Sequence, residues 1–196
     1  MQDAKPMSTP AEYVQTTSDA SNKVKFPYRE AVGSLMYLAI ATRPDIAFAV
    51  SYASRFMDSY NEEHIAVIKR IFKYLIGTID EGIIFAKTDD LFLNCYSDSD
   101  YAGDTETRHS TSGYVLMLSG GTISWSSRKQ QTIALSTTEA EYIAACESVK
   151  ELIWVQRLLN DLLGDDVQVP VLNLDNQSAI KLVKTHNFTK ELSTLK

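Results

Sequence analysis

The chain has 196 residues, 44% of them hydrophobic and 22% charged, with a formal net charge of −6. That length and balance suit one ordinary domain, or one and a partial second, and exclude a chain disordered by composition. The acidic balance also excludes a protein that grips phosphates by bulk positive charge, so a nucleic-acid partner would need divalent metal or local basic patches to screen its approach.

Residues 1–27 are polar, lack sustained periodicity and read as a loose leader without the apolar core of a signal peptide. No apolar run is long enough to span a bilayer. Cys95 and Cys146 have neither metal-ligand spacing nor a disulfide framework. Free thiols in a soluble, intracellular protein are therefore expected.

Helical character begins at Tyr28. The run "YREAVGSLMYLAIA" has the apolar spacing of a buried helix, weakened by Gly33. In "TRPDIAFAVSYASRFM", Pro44 sits like a first-turn proline, and Ile46, Val50, Ala53 and Met57 form one stripe. "NEEHIAVIKRIFKYLIGT" predicts a third helix, capped by Asn61, burying Ile65, Ile68, Phe72 and Leu75, and stopping at Gly77. Residues 28–82 thus read as an all-α segment.

After Gly82 the pattern changes. "GIIFAK", "LFLNCYS", "GYVLMLS" and "GTISWSS" are β-prone runs, the last two joined at Gly120–Gly121 like a hairpin. A long helix is expected over "TTEAEYIAACESVKELIWVQRLLNDLLG", with Tyr142, Cys146, Val149 and Ile153 facing inward and Gly164 as its stop. The strand "VQVPVLNL" then leads into a helix opened by Asp175. Residues 83–196 read as an α/β unit, a mixed sheet with helices packed on it.

Three carboxylates fall where this order brings distant segments together: Asp98 leaving a strand, Glu141 in the first turn of the long helix, and Asp175 ending a later strand. Oxygen donors of this kind suit Mg²⁺ or Mn²⁺ and do not suit Zn²⁺. Each also has a plain structural reading. Asp98 can solvate a turn, Asp175 can cap a helix, and Glu139 or Glu141 can complete a capping box with Ser136 or Thr138. No histidine or cysteine constellation for nucleophilic catalysis and no glycine-rich phosphate loop accompanies them.

The combination "YSDSDYAGD…RHSTSGYVLML…ISWSSRKQQTIALSTTEAEYIAACE…LDNQSAI" closely resembles the ribonuclease H domain of copia-type retrotransposon Pol polyproteins. The helical half resembles the connecting segment that follows that family's reverse transcriptase palm, with residues 1–27 as the end of the palm region. The resemblance covers residues 27–183 and implies a ribonuclease H-like fold that cleaves the RNA strand of RNA–DNA hybrids with two Mg²⁺ ions, Mn²⁺ serving in their place. It also implies the rest of a reverse transcriptase polyprotein as partner. Carried over, Asp98, Glu141 and Asp175 are the catalytic and metal-binding residues. Glu141 is preferred to Glu139 because "EYIAA" follows the fold's Glu–hydrophobic–X–Ala pattern. Tyr101 stands where the family usually has Trp.

Two departures accompany it. The polymerase Tyr-X-Asp-Asp signature is absent, so no polymerase activity is expected. The family's fourth carboxylate would fall past Lys196, after "KTHNFTKELSTLK", so residues 83–196 read as a ribonuclease H-like domain incomplete at its C-terminus, with three of the four expected carboxylates and an activity open to loss by truncation.

Lys69, Arg70 and Lys73 on the third helix, with Arg128 and Lys129 after "ISWSS", are candidate phosphate contacts. Ser99 and Asn176 are candidate sensors of the RNA 2′-hydroxyl. The competing expectation is a non-catalytic remnant of such a polyprotein, retained as a binding module.

Overall fold

The computed structural model describes residues 4–12, 25–87, 91–164 and 168–185. The chain divides into two units, residues 1–83 and 84–196.

The first unit is helical: α1 (Tyr28–Ala41), a 3-10 turn (Pro44–Ile46), α2 (Ala47–Ser54) and α3 (Glu62–Gly77). Pro44 ends α1, because the residue before a proline is driven out of the helical region, and it opens the next turn at N1. Asn61 caps α3 as expected. Its Oδ1 accepts from the His64 backbone at 3.1 Å, and its own N–H donates to His64 Nδ1 at 3.0 Å, so a histidine completes the capping box in place of glutamate. Tyr28, Val32, Leu35, Ile46, Val50, Ile65, Ile68 and Ile71 form the core, with Phe72 and Leu75 only half-buried at its edge.

A polar clasp closes this unit. Arg43, only 8% exposed, holds Asp45 through Nε and Nη2 at 3.0 and 2.8 Å and donates from Nη1 to the Thr78 carbonyl at 3.0 Å. Tyr74 Oη donates to Asp45 Oδ2 at 2.8 Å. Burial alone would raise the Asp45 carboxyl, but Arg43 and Tyr74 together hold it below the usual aspartate range.

The leader is not loose throughout. Pro6 lies against Gly77, the Met7 amide donates to the Lys73 carbonyl at 3.4 Å, and Ala11 packs against the helical core.

The second unit is an α/β structure of the ribonuclease H-like class expected, a mixed four-stranded sheet with helices packed on it. Its elements are β1 (Leu93–Asp100), β2 (Thr111–Leu118), β3 (Gly121–Lys129), α4 (Thr137–Leu163), β4 (Val171–Asn173) and α5 (Gln177–Thr185), with strand order β3-β2-β1-β4. β1 runs antiparallel to β2 and parallel to β4. Leu93, Cys95 and Leu116 of the sheet meet Leu152 and Val155 of α4. Both cysteines are free, and burial, with Glu151 nearby, pushes the Cys95 thiol up to about 12, so it stays protonated and inert.

Several expectations need correction. "GIIFAK" forms no strand; Phe85 instead lies over Gly121, where a Cβ would come within 2.4 Å of the ring. β4 is only three residues long, because Pro170 offers no ladder donor. The inner face of α4 is Ala140, Ala144, Ser148, Val149, Leu152 and Val155, leaving Tyr142, Cys146 and Ile153 half-buried. Small residues let the helix sit close to the sheet, a gain that hydrophobic size alone does not register.

The hairpin loop is Ser119–Gly120, with φ of 50° and 86°, the left-handed pair of a type I′ turn. Asparagine suits the first position better than serine. Ser119→Asn is expected to raise the stability of this unit by roughly 0.5 kcal/mol, read as a higher urea midpoint; a lowered midpoint would contradict the turn assignment.

Candidate active site

The parallel pairing of β1 with β4 places two of the carboxylates. Asn94, Cys95 and Tyr96 stand level with Val171, Leu172 and Asn173. The ladder ends there, two residues short of Asp98 on β1 and of Asp175 in the chain after β4. Asp98 lies inside β1 and not beyond it. It is exposed on the face opposite Leu93 and Cys95, and its Oδ1 accepts from the Ser99 amide at 2.7 Å. Asp175 is exposed in the bend after β4.

Asp175 does not cap α5. Asn176 does: its Oδ1 accepts from the Ser178 and Ala179 amides at 2.8 and 3.1 Å. Its Nδ2 donates to Glu141 Oε1 at 3.2 Å, so one residue both starts α5 and holds Glu141. The signal for this was present in the sequence, since asparagine is as good a cap as aspartate.

The start of α4 separates its two glutamates. Ser136 Oγ accepts from the Glu139 amide at 3.1 Å, and Glu139 Oε2 accepts from the Leu135 amide at 2.8 Å. Glu139 is thus part of the helix cap, and Glu141 turns toward the sheet edge. Burial pushes the Glu141 carboxyl above the usual glutamate range. The Asn176 amide opposes that rise, and the nearby Asp175 and Asp98 carboxylates add to it.

Gln130, which sequence reasoning missed, ties these elements together. It is buried, and its Nε2 donates to Ser112 Oγ on β2 and to the Ala140 carbonyl beside Glu141, each at 2.9 Å.

The other acids of "SDSDYAGD" are otherwise engaged. Asp100 tucks against Gly103, where a Cβ would lie 1.7 Å from its Oδ2; burial, then Asp98, raises its carboxyl. Asp104 pairs with Lys129 Nζ at 2.6 Å. Burial would raise its carboxyl, but Lys129 and the Thr107 amide hold it well below the usual range.

The donor set of Asp98, Glu141 and Asp175 is all carboxylate oxygen, which fits a hard divalent cation, and the like-charge coupling at Glu141 is what such a cation would relieve. Among the described residues, however, no three His, Cys, Asp or Glu side chains are gathered closely enough to hold one ion. Asp98 and Asp175 are both exposed, so their side chains keep the rotamer freedom to close on one.

The candidate nucleic-acid contacts divide. Lys69 and Arg128 are exposed, and Lys73 is half-buried. Arg70 is turned inward to the leader, bonding the Thr9 carbonyl and hydroxyl at 3.1 and 2.8 Å and Glu12 at 2.7 Å. Lys129 is paired with Asp104. Ser99 cannot meet a 2′-hydroxyl from this position. In strand alternation its side chain leaves Asp98's face, and its Oγ is buried with no hydrogen-bond partner among the described residues. Asn176 is occupied by the cap and by Glu141. Among the described residues no helix is long and apolar enough to cross a membrane.

The chain is 45% identical, over 98% of its length, to the retrovirus-related Pol polyprotein from transposon TNT 1-94 of Nicotiana tabacum. It is 43% identical, over 91% of its length, to that from transposon RE1 of Arabidopsis thaliana. It spans 15% and 12% of those two relatives. It is also 46% identical, over 66% of its length, to the secreted RxLR effector protein 161 of Plasmopara viticola, of which it covers 91%. No family model matches the chain, and no solved structure matches it.

Proposed function

The chain belongs to the family of copia-type retrotransposon Pol polyproteins, and from that premise we propose that its α/β unit is a ribonuclease H-like domain that hydrolyses the RNA strand of RNA–DNA hybrids. What supports this reading is Glu141, held by Asn176 just after β4, with the Asp175 and Asp98 carboxylates near enough to add to the rise of its own carboxyl.

In this reading Asp98 and Asp175 are the central ligands for Mg²⁺, or for Mn²⁺ in its place, and Glu141 is the third. Ions held by these carboxylates would supply activation of a water and charge stabilisation at the leaving oxygen of the phosphodiester. The chain itself supplies position. The β1–β4 pairing carries the chain to within two residues of Asp175, Asn176 holds Glu141 Oε1, and Gln130 anchors the first turn of α4 to β2. Among the candidate phosphate contacts, Lys69 and Arg128 are the two left exposed.

The test is incubation of an end-labelled RNA–DNA hybrid with the chain in Mg²⁺, in Mn²⁺ and in EDTA. Cleavage of the RNA strand alone is expected in either metal, and none after chelation. Hybrid binding without cleavage in either metal would replace the nuclease with a non-catalytic binding module. Cleavage that survives EDTA would remove the metal from the mechanism.

A further inference from the structure

Gly113 lies inside β2, directly opposite Asp98 of β1 on one side and Ser127 of β3 on the other. A glycine inside a strand weakens it by about 0.5–1 kcal/mol relative to a residue with a side chain, so it calls for a reason. The backbone gives none, because Gly113 is not among the residues of positive φ. Packing gives none either. A Cβ built there meets only the Ser126 and Asp98 carbonyl oxygens, at 3.8 and 3.9 Å, which is ordinary van der Waals contact. The fold has room for a Cβ at this position.

Its surroundings point to what does not. Residues directly opposite one another share a face of the sheet, so Gly113 sits on the same face as the exposed Asp98. Two residues along, the same face carries the row Tyr96–Val115–Trp125, and two residues the other way Asp100–Thr111–Lys129. Both rows bear side chains, each about 7 Å from the Gly113 row. The bare position is the one beside the proposed metal ligand.

Resting on the nuclease reading above, we propose that Gly113 is a positioning residue for the substrate: its missing side chain lets the sugar–phosphate backbone of the strand to be cut lie against the sheet within reach of Asp98. A glycine kept for close approach of a ligand should accept substitution without loss of fold, and lose binding in proportion to the bulk added.

The experiment compares wild type with Gly113→Ala, Gly113→Val and Gly113→Leu in the full chain. Anisotropy of a fluorescent RNA–DNA hybrid in Ca²⁺ gives affinity, and circular dichroism gives thermal unfolding. Hybrid affinity is expected to fall in order of side-chain size, by at least roughly tenfold for Val and Leu. The melting temperature is expected to hold or rise, most for the β-branched valine. Wild-type affinity in Gly113→Val would overturn the inference. So would a clear drop in melting temperature in all three variants, which would make the glycine a requirement of the fold. Absence of hybrid binding by the wild-type chain would overturn the proposed function itself, and this inference with it.

Discussion

Asp98→Asn is expected to lower the rate of RNA-strand cleavage by at least about 100-fold, because loss of groups that merely support a metal ligand already costs about 10–100-fold. The fold should not suffer. Asp98 is exposed, and the one bond its side chain makes to the backbone, from the Ser99 amide to Oδ1, can be accepted equally by an asparagine oxygen. Removing one of the like charges that face Glu141 also eases repulsion at the sheet edge. Initial rates on the end-labelled hybrid, with thermal unfolding in parallel, separate the two effects. The two glutamates sharpen the test. Glu141→Gln should lose activity about as severely as Asp98→Asn, whereas Glu139→Gln should stay close to wild type, its cap bond to Leu135 still being made. An Asp98→Asn chain that cleaves within a few-fold of wild type, or a Glu139→Gln chain that does not cleave, would remove the assignment.

The largest expected loss of stability is at the polar clasp of the helical unit. Asp45→Ala strands the Arg43 guanidinium, which is 8% exposed, and takes away the acceptor of the Tyr74 hydroxyl. Breaking a fully buried ion pair costs about 3–5 kcal/mol. The Asp45 side chain is 34% exposed, so water recovers part of that and about 2–3 kcal/mol is expected here. The pH dependence has a definite sign. Asp45 is depressed in the folded chain, so its contribution is fully present above the ordinary aspartate pKa of about 4 and is lost as pH falls through the depressed folded value. Urea unfolding followed by circular dichroism at neutral and acid pH measures both effects. The variant's deficit should narrow as the pH drops below about 4. A variant within about 0.5 kcal/mol of wild type at neutral pH would place the clasp among ordinary surface pairs.

Where punctuation residues set the ends of elements, the sequence was readable. Pro44, Asn61 and Gly164 each mark a boundary in the folded chain, because each acts through its own backbone or cap chemistry and needs no distant partner; Gly77 ends α3 with Pro6 packed where its Cβ would lie. Elements that depend on a partner were not readable in the same way. "GIIFAK" has the composition of a strand but no ladder partner among the described residues, and the described part of "VQVPVLNL" pairs where it runs beside β1 after Pro170.

At the candidate site, residue type and spacing drew attention to Asp98, Glu141 and Asp175, and the family resemblance gave them roles. What neither could show is how the neighbours share the work of holding them. Asn176 caps α5 where Asp175 was the expected cap, Gln130 reaches from β3's end to the Ala140 carbonyl, and Ser99 and Arg70 turn inward. Each of these is a matter of side-chain direction, fixed by tertiary contacts that are remote in the chain.

The shortness of β4 sets an order of events on heating or in denaturant. The chain at Asp175 is held by a ladder of only three residue pairs at the sheet's edge, two residues before it, and by the helix α5 that Asn176 caps. Such an edge opens with a small local free energy, well below that needed to unpack α4 from β1 and β2. Amide protons of residues 171–180 should therefore exchange sooner than those of β1 and β2. Cleavage should fade at temperatures where the far-ultraviolet spectrum of the chain is still that of the folded state.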